Sequence, residues 1–156
     1  MSKLDLIGHS SLIYLPEVTS KPIRARIDTG AKTSAISVAK VIVHDNYLEV
    51  KFLAHNEAYS DAKTLIFKDF KRVRVISSNS LEERRFKVKL LVVINNRKIR
   101  AWFTLTDRSK RTYPVLLGRN VLRGKFLVDV ATSHKRLTSR RKGRINAYSN
   151  TIQRAS

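Results

Sequence analysis

Alternating apolar and polar positions run through most of the chain and predict short β-strands. Val73 and Val75 alternate with Arg72 and Arg74, and the same two-residue period continues in the later segments. The predicted strands cover residues 11–15, 23–28, 47–53, 70–76, 85–94 and 97–106. Many short strands at this spacing are typical of a β-sandwich or a β-barrel.

Turn and helix signals complete this pattern. Asn95 and Asn96 separate the last two predicted strands, and because asparagine tolerates a positive φ they predict a tight hairpin. An apolar strand over residues 113–117 leads into Gly118, and residues 119–123 form the single short helical segment. No internal repeat is present. The pattern predicts an all-β fold with one short C-terminal helix.

Composition bounds the class of protein. The 156 residues allow one domain or two very small ones, and a hydrophobic content of 42% is enough to build a core. The absence of cysteine excludes disulfide scaffolds, cysteine-ligated zinc and thiol catalysis. No apolar run reaches the roughly 18 residues of a membrane helix, and the first residues lack a signal peptide's apolar stretch. We therefore expect a cytoplasmic protein without membrane contact.

The charge is strongly positive and unevenly distributed. Lys and Arg number 32 against 12 Asp and Glu, which gives a net charge of +20. Residues 131–156 hold basic residues and no acid, which predicts a basic, extended tail after a globular domain over residues 1–130. The tail is either a solvated segment or an arm that binds phosphates or carboxylates. The charge as a whole indicates polyanionic partners.

One segment carries candidate catalytic chemistry. The strand over residues 23–28 ends in Asp28, followed by Thr29 and Gly30. A carboxylate at a strand end can act as a general base or acid, and a glycine there brings backbone amides close to it. On these three letters alone, an ordinary turn at the end of a strand is the favoured interpretation.

Further segments change that interpretation. The Asp28–Ala31 motif, the hairpin over residues 87–106 and the Leu-Leu-Gly-Arg-Asn sequence at 116–120 together resemble the retroviral aspartic proteases, the retropepsins, over roughly residues 20–130. Residues 25–36, 105–109, 114–119 and 125–129 are similar to a bacterial retropepsin-like family described as ATP-dependent zinc proteases. This resemblance implies a closed acid-protease β-barrel. It also implies a link to an ATP-grasp ligase that adds glutamates to a ribosomal protein.

The resemblance assigns roles in the active-site loop. Asp28 is the implied catalytic acid and base, and Thr29 the hydroxyl that holds two such loops together. Gly30 implies a tight backbone that binds the substrate main chain, and Ala31 lines the site beside it. The implied structural residues near the site are Gly118, Arg119 and Asn120. The carboxylate that usually pairs with this arginine is missing, because the sequence there is Lys32-Thr33-Ser34.

The implied flap is the hairpin between Val75 and Phe86. Its tip consists of Ser77, Ser78, Asn79 and Ser80. Retropepsin flap tips are rich in glycine, whereas this one has none, so we expect a stiffer hairpin.

The mechanism implied by the resemblance requires two aspartates. Two carboxylates about 3 Å apart share one proton, so that one accepts a proton from water while the other donates to the carbonyl oxygen. The chain has one Asp-Thr-Gly and no room for a second lobe. A homodimer in which each chain contributes one Asp28 is therefore a consequence of the catalytic hypothesis.

Metal and cofactor signals are weak. The four histidines do not form a His-Glu-x-x-His motif, and no two of them lie four residues apart. No glycine-rich Walker loop is present. We expect neither a metal nor a cofactor. The four histidines are His9, His44, His55 and His134.

Two further features have both a structural and a functional interpretation. Trp102 is predicted to pack in the core or at an interface. A basic stripe on neighbouring strands is either a solvated face or an electrostatic funnel for an acidic chain. The stripe comprises Arg72, Arg74, Arg84, Arg85, Lys87 and Lys89.

Three functions follow from these features. The first is an aspartic endopeptidase that works as a homodimer and favours acidic peptides. The second is a non-catalytic module of the same fold that binds peptides. The third is a nucleic-acid-binding protein that uses the basic tail, although the chain lacks aromatic residues interleaved with basic ones.

Overall fold

A computed structural model describes residues 3–53, 56–76 and 79–133 of the chain. These residues form eleven strands, one four-residue α-helix and one turn of 3₁₀-helix. The strands are β1 (Asp5–Gly8), β2 (Ser10–Ile13), β3 (Ile23–Ile27), β4 (Ser34–Val43), β5 (Leu48–Phe52), β6 (Thr64–Phe67), β7 (Phe70–Ile76), β8 (Glu82–Ile94), β9 (Arg97–Thr106), β10 (Val115–Leu117) and β11 (Phe126–Asp129). The α-helix α1 is Arg119–Leu122 and the 3₁₀ turn is Glu57–Tyr59.

The strands are arranged in two sheets. Seven strands of the larger sheet follow the order β2-β3-β10-β4-β9-β8-β7, while β5 pairs with β4 and β6 pairs with β5. β1 and β11 form a separate, parallel two-stranded sheet. Residues from both ends of the described chain therefore meet in one strand pair.

The predicted closed barrel is wrong, because neither sheet closes on itself. β2 and β7 are the two ends of the seven-strand path, and they do not pair with each other. A single isolated bridge, Tyr14 to Val93, connects the chain beyond β2 to β8. Pro16 follows two residues later and has no N–H to donate, so this pairing cannot continue as a ladder. The all-β character and the short helix are confirmed.

Most predicted strands are confirmed with small shifts in their ends. β7 and β9 match their predicted ranges to the residue. Asn95 and Asn96 form the tight turn between β8 and β9, with φ of 49° and 65°. The prediction missed β4. Its first five residues are all buried, so this part of the strand shows no alternation of apolar and polar positions.

A single hydrophobic core supports the centre of the large sheet. Phe52, Phe103, Leu90 and Ile36 are fully buried in it. The core holds β3, β10 and β4 together, and the candidate site lies at the ends of these strands. Among the described residues, no helix has the length and apolar character needed to cross a membrane.

Arg97 connects the two sheets. Its Nε atom lies 2.6 Å from an Asp5 carboxylate oxygen, and its Nη2 atom donates to the carbonyl of Lys3. The same guanidinium lies 5.7 Å from the ring centroid of Phe126. The arginine at the start of β9 thus contacts both the segment of β1 and the strand β11. Most of the predicted tail, residues 134–156, lies outside the described residues, and the division of the chain at residue 130 stays a prediction.

Candidate active site

The loop that follows β3 holds Asp28 in a defined position. β3 lies between β2 and the parallel strand β10, and the N–H of Asp28 donates to the carbonyl of Leu117 at 2.9 Å. The N–H of Gly30 donates to the Asp28 Oδ1 atom at 3.0 Å. The Asp28 side chain is half-buried, whereas Thr29 and Gly30 are exposed. The loop therefore presents a carboxylate that already accepts one backbone hydrogen bond.

The start of α1 fixes this loop from the other side. The N–H of Arg119 donates to Ala31 at 2.8 Å, and the N–H of Asn120 donates to Lys32 at 3.2 Å. The Arg119 guanidinium donates to the carbonyl of Thr29 at 3.0 Å. The carboxylate partner known from retropepsins is missing in the sequence, and here a backbone carbonyl accepts from the arginine instead.

Gly118 is required by the close approach of this loop. A Cβ atom at this position would lie 2.8 Å from the Ala31 carbonyl oxygen and 2.9 Å from the carbonyl carbon and oxygen of Thr33. Its φ of −93° is open to any residue, so space and not backbone conformation demands the glycine. The resemblance predicted a structural role for Gly118, and this packing gives a physical reason for such a role.

A hydrogen-bond network around the buried Ser34 joins the loop to the sheet. The N–H and hydroxyl of Ser34 both donate to Asn120 Oδ1, at 3.0 Å and 2.8 Å. The N–H of Gly118 donates to the Ser34 hydroxyl, and Asn120 Nδ2 donates to the carbonyl of Trp102 at 2.9 Å. Ser34 was not among the predicted site residues. A buried serine inside a strand was the available signal, because its hydroxyl needs partners there.

A groove of about 570 Å³ lies between the Asp28 loop and the β7–β8 hairpin. Residues 31–33 line one side, and residues 73–76, which lead into the predicted flap, line the other. Of the predicted flap tip, Ser77 and Ser78 lie outside the described residues. Asn79 and Ser80 belong to the turn, and Ser80 has a φ of 60°. The other groove residues are Ala35, Arg85, Lys87, Thr104, Arg108 and Leu116.

The groove is electropositive. Five of its described lining residues are cationic and none is acidic; the cations are Lys32, Arg74, Arg85, Lys87 and Arg108. Within the described part of the chain, the buried Nε atom of Arg85 has no hydrogen-bond partner. An unpaired buried donor of this kind is costly.

Arg108 is a groove residue that the sequence analysis did not identify. Its Nε atom donates to the carbonyl of Tyr113 at 3.0 Å. Burial lowers the pKa of Arg108, and the charges of Arg111, Arg85 and Arg26 lower it further, while Asp28 opposes them. The only signal in the sequence was the Thr-Asp-Arg segment at 106–108. It could not show that the Arg108 side chain lies over the groove, because that position depends on the fold.

Two of the four histidines lie among the described residues. His44 stacks on Tyr47 with ring centroids 4.3 Å apart, and its Nε2 atom lies 3.1 Å from a Glu49 carboxylate oxygen. Within the described ranges, no three His, Asp or Glu side chains come together in a way that could hold a metal ion. His55 and His134 lie outside these ranges.

Known proteins resemble the chain in sequence. A protein of Parasynechococcus marenigrum named "Probable alpha-L-glutamate ligase" is 26% identical over 140 residues, which is 86% of this chain and 30% of that protein. A protein of the same name from Shewanella pealeana is 28% identical over 134 residues, 82% of this chain and 29% of its own length. The chain thus spans less than a third of the length of these curated relatives.

A solved structure shares the fold. The crystal structure of a Legionella pneumophila protein of unknown function superposes with a TM-score of 0.66 and 19% identity, over 83% of this chain and 95% of the other. The family model described as the retropepsin-like aspartic endopeptidase RimB matches residues 6–139. The chain therefore belongs to the RimB-like family of retropepsin-like proteins.

Proposed function

We propose that the protein is an aspartic endopeptidase that works as a homodimer, with one Asp28 from each chain. The observation that carries this proposal is the Asp28 carboxylate, half-buried and bonded to the Gly30 amide on a loop beside an open groove. The β7–β8 hairpin lines the opposite side of that groove. This arrangement suits a substrate backbone held between the hairpin and the loop.

The chemistry requires both copies of Asp28. The ionised carboxylate takes a proton from water, and the water oxygen attacks the peptide carbonyl carbon. The protonated carboxylate gives its proton to the carbonyl oxygen, which produces a neutral tetrahedral diol. The first carboxylate then passes its proton to the amide nitrogen. The C–N bond breaks as the diol returns its proton to the second carboxylate, so the pair regains its starting state.

The exposed part of the loop supports a meeting of two chains. Thr29 and Gly30 are exposed, and the Thr29 carbonyl accepts a hydrogen bond from the Arg119 guanidinium. A rigid, exposed loop is well suited to contact its symmetry mate across a twofold axis. Such a contact would bring the two Asp28 side chains together and allow them to share one proton.

The substrate we propose is an acidic peptide. The five groove cations favour carboxylate side chains. The relatives named as glutamate ligases support a glutamate-rich chain as the substrate and a functional link to an ATP-grasp ligase.

Replacing Asp28 tests the mechanism. Asp28→Asn keeps the size of the side chain but cannot accept the proton from water, so we expect cleavage of a glutamate-rich peptide to fall by at least about a thousandfold. The measurement is mass spectrometry of the products, with sedimentation to follow the dimer. Asp45→Asn, which removes one exposed carboxylate elsewhere, is the control and should cleave normally. Cleavage retained by Asp28→Asn, or cleavage by a strict monomer, would contradict the proposal.

One observation favours the second function, a peptide-binding module without catalysis. Two ion pairs lie in the β7–β8 hairpin. Arg74 of β7 pairs with Glu82 of β8 at 3.1 Å, and Arg85 pairs with Glu83 of the same strand at 2.8 Å. Together with the absence of glycine at the tip, they favour a stiff hairpin. This function predicts tight peptide binding, no turnover by the wild-type protein and unchanged affinity in Asp28→Asn.

A further inference from the structure

We infer that a second binding surface for an acidic chain extends from the groove along β8. We call this surface the Trp102 track and define it as Lys71, Lys87, Lys89, Arg100 and Trp102. The inference rests on the proposed function, because the chain that it binds is the acidic substrate of the groove. It adds that recognition continues outside the groove, so that long acidic chains bind more tightly than short ones.

Strand pairing brings the track together on one face of the sheet. Lys87 of β8 lies opposite Lys71 of β7 and Thr104 of β9, and Lys89 lies opposite Trp102. Residues opposite each other in an antiparallel pair point to the same face. The ammonium groups of Lys71, Lys87 and Lys89 lie 5.1, 5.2 and 5.1 Å from the centroid of the Trp102 ring.

Three like charges therefore surround one indole ring. Cation–π attraction to a single ring offsets part of their repulsion. The ion pairs found within the described residues do not include any of the three lysines. An anion that bridges the ammonium groups would remove the remaining repulsion, which makes the track a binding surface for carboxylates.

The track is continuous with the groove at one end and with a second depression at the other. Lys87 also lines the groove beside the Asp28 loop. Lys89 and Arg100 also line a depression of about 600 Å³, whose other charged residues are Lys63, Lys68, Glu17 and Asp69. Arg100 lies 3.6 Å from a Glu17 carboxylate oxygen, so part of its charge is already paired. An extended chain leaving the groove would thus meet four basic and two acidic side chains in this depression.

The spacing fits a peptide in extended conformation. Lys87 and Lys89 are two residues apart on one strand, or roughly 7 Å, and every second side chain of an extended peptide repeats at the same distance. Runs of acidic residues can therefore place a carboxylate near each lysine in turn.

Trp102 distinguishes a peptide from a nucleic acid. Single-stranded nucleic acids bind by stacking bases on open aromatic rings. Trp102 is the one aromatic residue of the track, it is half-buried, and three ammonium groups approach its ring. The track offers charge without a stacking platform, which favours carboxylates on a flexible peptide.

The only tryptophan of the chain provides the measurement. Full-length Asp28→Asn protein is titrated with decaglutamate, triglutamate and a ten-nucleotide oligouridylate at one salt concentration, and Trp102 fluorescence reports binding. We expect decaglutamate to shift the emission and to bind at least about tenfold more tightly than triglutamate.

Charge-neutralising variants identify the surface. Lys71→Gln with Lys89→Gln, made in the same Asp28→Asn protein, should weaken decaglutamate binding about tenfold, since two exposed ion pairs with the peptide are lost. The matched control is Lys40→Gln with Lys51→Gln, an exposed lysine pair facing each other on β4 and β5. It removes the same charge away from the track and should change the affinity less than twofold. Thermal denaturation of each variant checks that the fold is retained.

Each contrary outcome overturns the inference. Equal losses in the two double variants would show a general charge effect, and equal affinities for the two glutamate peptides would exclude a surface outside the groove. Tighter binding of oligouridylate through the same lysines would make the track a nucleic-acid site. None of these measurements requires cleavage. If the wild-type protein does not cut but the binding pattern holds, the proposed catalytic function fails and the track stands.

Discussion

The Asp61 carboxylate has a structural role, because it accepts hydrogen bonds that join two loops. The Thr19 hydroxyl donates to its Oδ1 atom at 2.5 Å, and the Ser20 hydroxyl donates to its Oδ2 atom at 2.6 Å. The Ser20 N–H adds a third bond at 3.2 Å. These bonds fasten the loop after β2 to the loop before β6. The hydrogen bonds from Ser20 and Thr19 lower the pKa of Asp61 to about 2.

This pKa predicts a pH-dependent contribution to stability. Because the folded value lies below the ordinary 3.8, the contribution is complete above about pH 4 and is lost as the pH falls towards about 2. We expect Asp61→Asn to lower the free energy of unfolding at neutral pH and to reduce its decline between pH 4 and 2. Urea denaturation across this range measures both effects. Asp45→Asn should keep the wild-type decline, and identical pH profiles for Asp61→Asn and wild type would contradict the prediction.

At the scale of residues, the catalytic role of Asp28 stays a prediction. Asp28 and Gly118 were identified as candidate site residues because their motifs, taken together with the surrounding segments, resemble those of the retropepsins. Arg108 was not, since its place over the groove depends on how β9 and the following loop pack. The hydrogen-bond acceptor of Arg119 could not be predicted either, because it is a backbone carbonyl and every residue has one.

At the scale of elements, the β8–β9 hairpin shows local sequence acting directly. Asn95 and Asn96 both adopt a positive φ, which strains residues that have a Cβ atom. We expect Asn96→Gly to stabilise the protein by about 0.5–1 kcal/mol and Asn96→Ala to destabilise it by about 1 kcal/mol. Chemical denaturation at neutral pH is the measurement.

A second asparagine turn supplies the control for this prediction. Asn46, in the turn between β4 and β5, is not among the described residues with positive φ. Asn46→Gly therefore adds freedom to the unfolded chain without relieving strain, and it should be neutral or destabilising. A gain of the same size at both positions would show that the backbone conformation is not the cause.

The alternation of apolar and polar positions did not predict four strands, β1, β4, β6 and β11, and burial on both faces is the reason for β4. β4 lies between β10 and β9, and its first half is buried throughout, so its pattern lacks the two-residue period. β9 has one face towards the core and one towards solvent, and β7 places the half-buried Val73 and Val75 between exposed residues. The bounds of both strands were predicted to the residue. Alternation reports exposure on one face, and it vanishes where the sheet is covered on both.

At the scale of the whole molecule, charge opposes the proposed dimer. Two chains of +20 repel each other, and added salt screens this repulsion over a Debye length of about 10 Å at 0.1 M. We expect the dimer dissociation constant to fall as salt rises. Binding of decaglutamate to the Trp102 track should weaken over the same range, because salt there screens an attraction. Sedimentation velocity and Trp102 fluorescence measure the two trends, and a dimer that weakens with salt would contradict the first.

The closed barrel was predicted from the resemblance to the family, and the order of strands in the sheet shows that the prediction is wrong. Local patterns determine which residues form strands, but closure depends on whether the first and last strands of the path meet. Here β2 and β7 stay apart, and β7 instead continues into the hairpin that borders the groove.

The β1–β11 pair has a consequence for the order of folding. Its partners are separated by roughly 120 residues of sequence, so joining them closes a loop that contains most of the domain. Each strand is only four residues long, whereas the β8–β9 hairpin needs only a two-residue turn to close. Low contact order favours early formation. We therefore expect the β8–β9 hairpin to form early and the β1–β11 pair to form last. Arg97, at the start of β9, would then contact Asp5 and Phe126 only after the large sheet has formed.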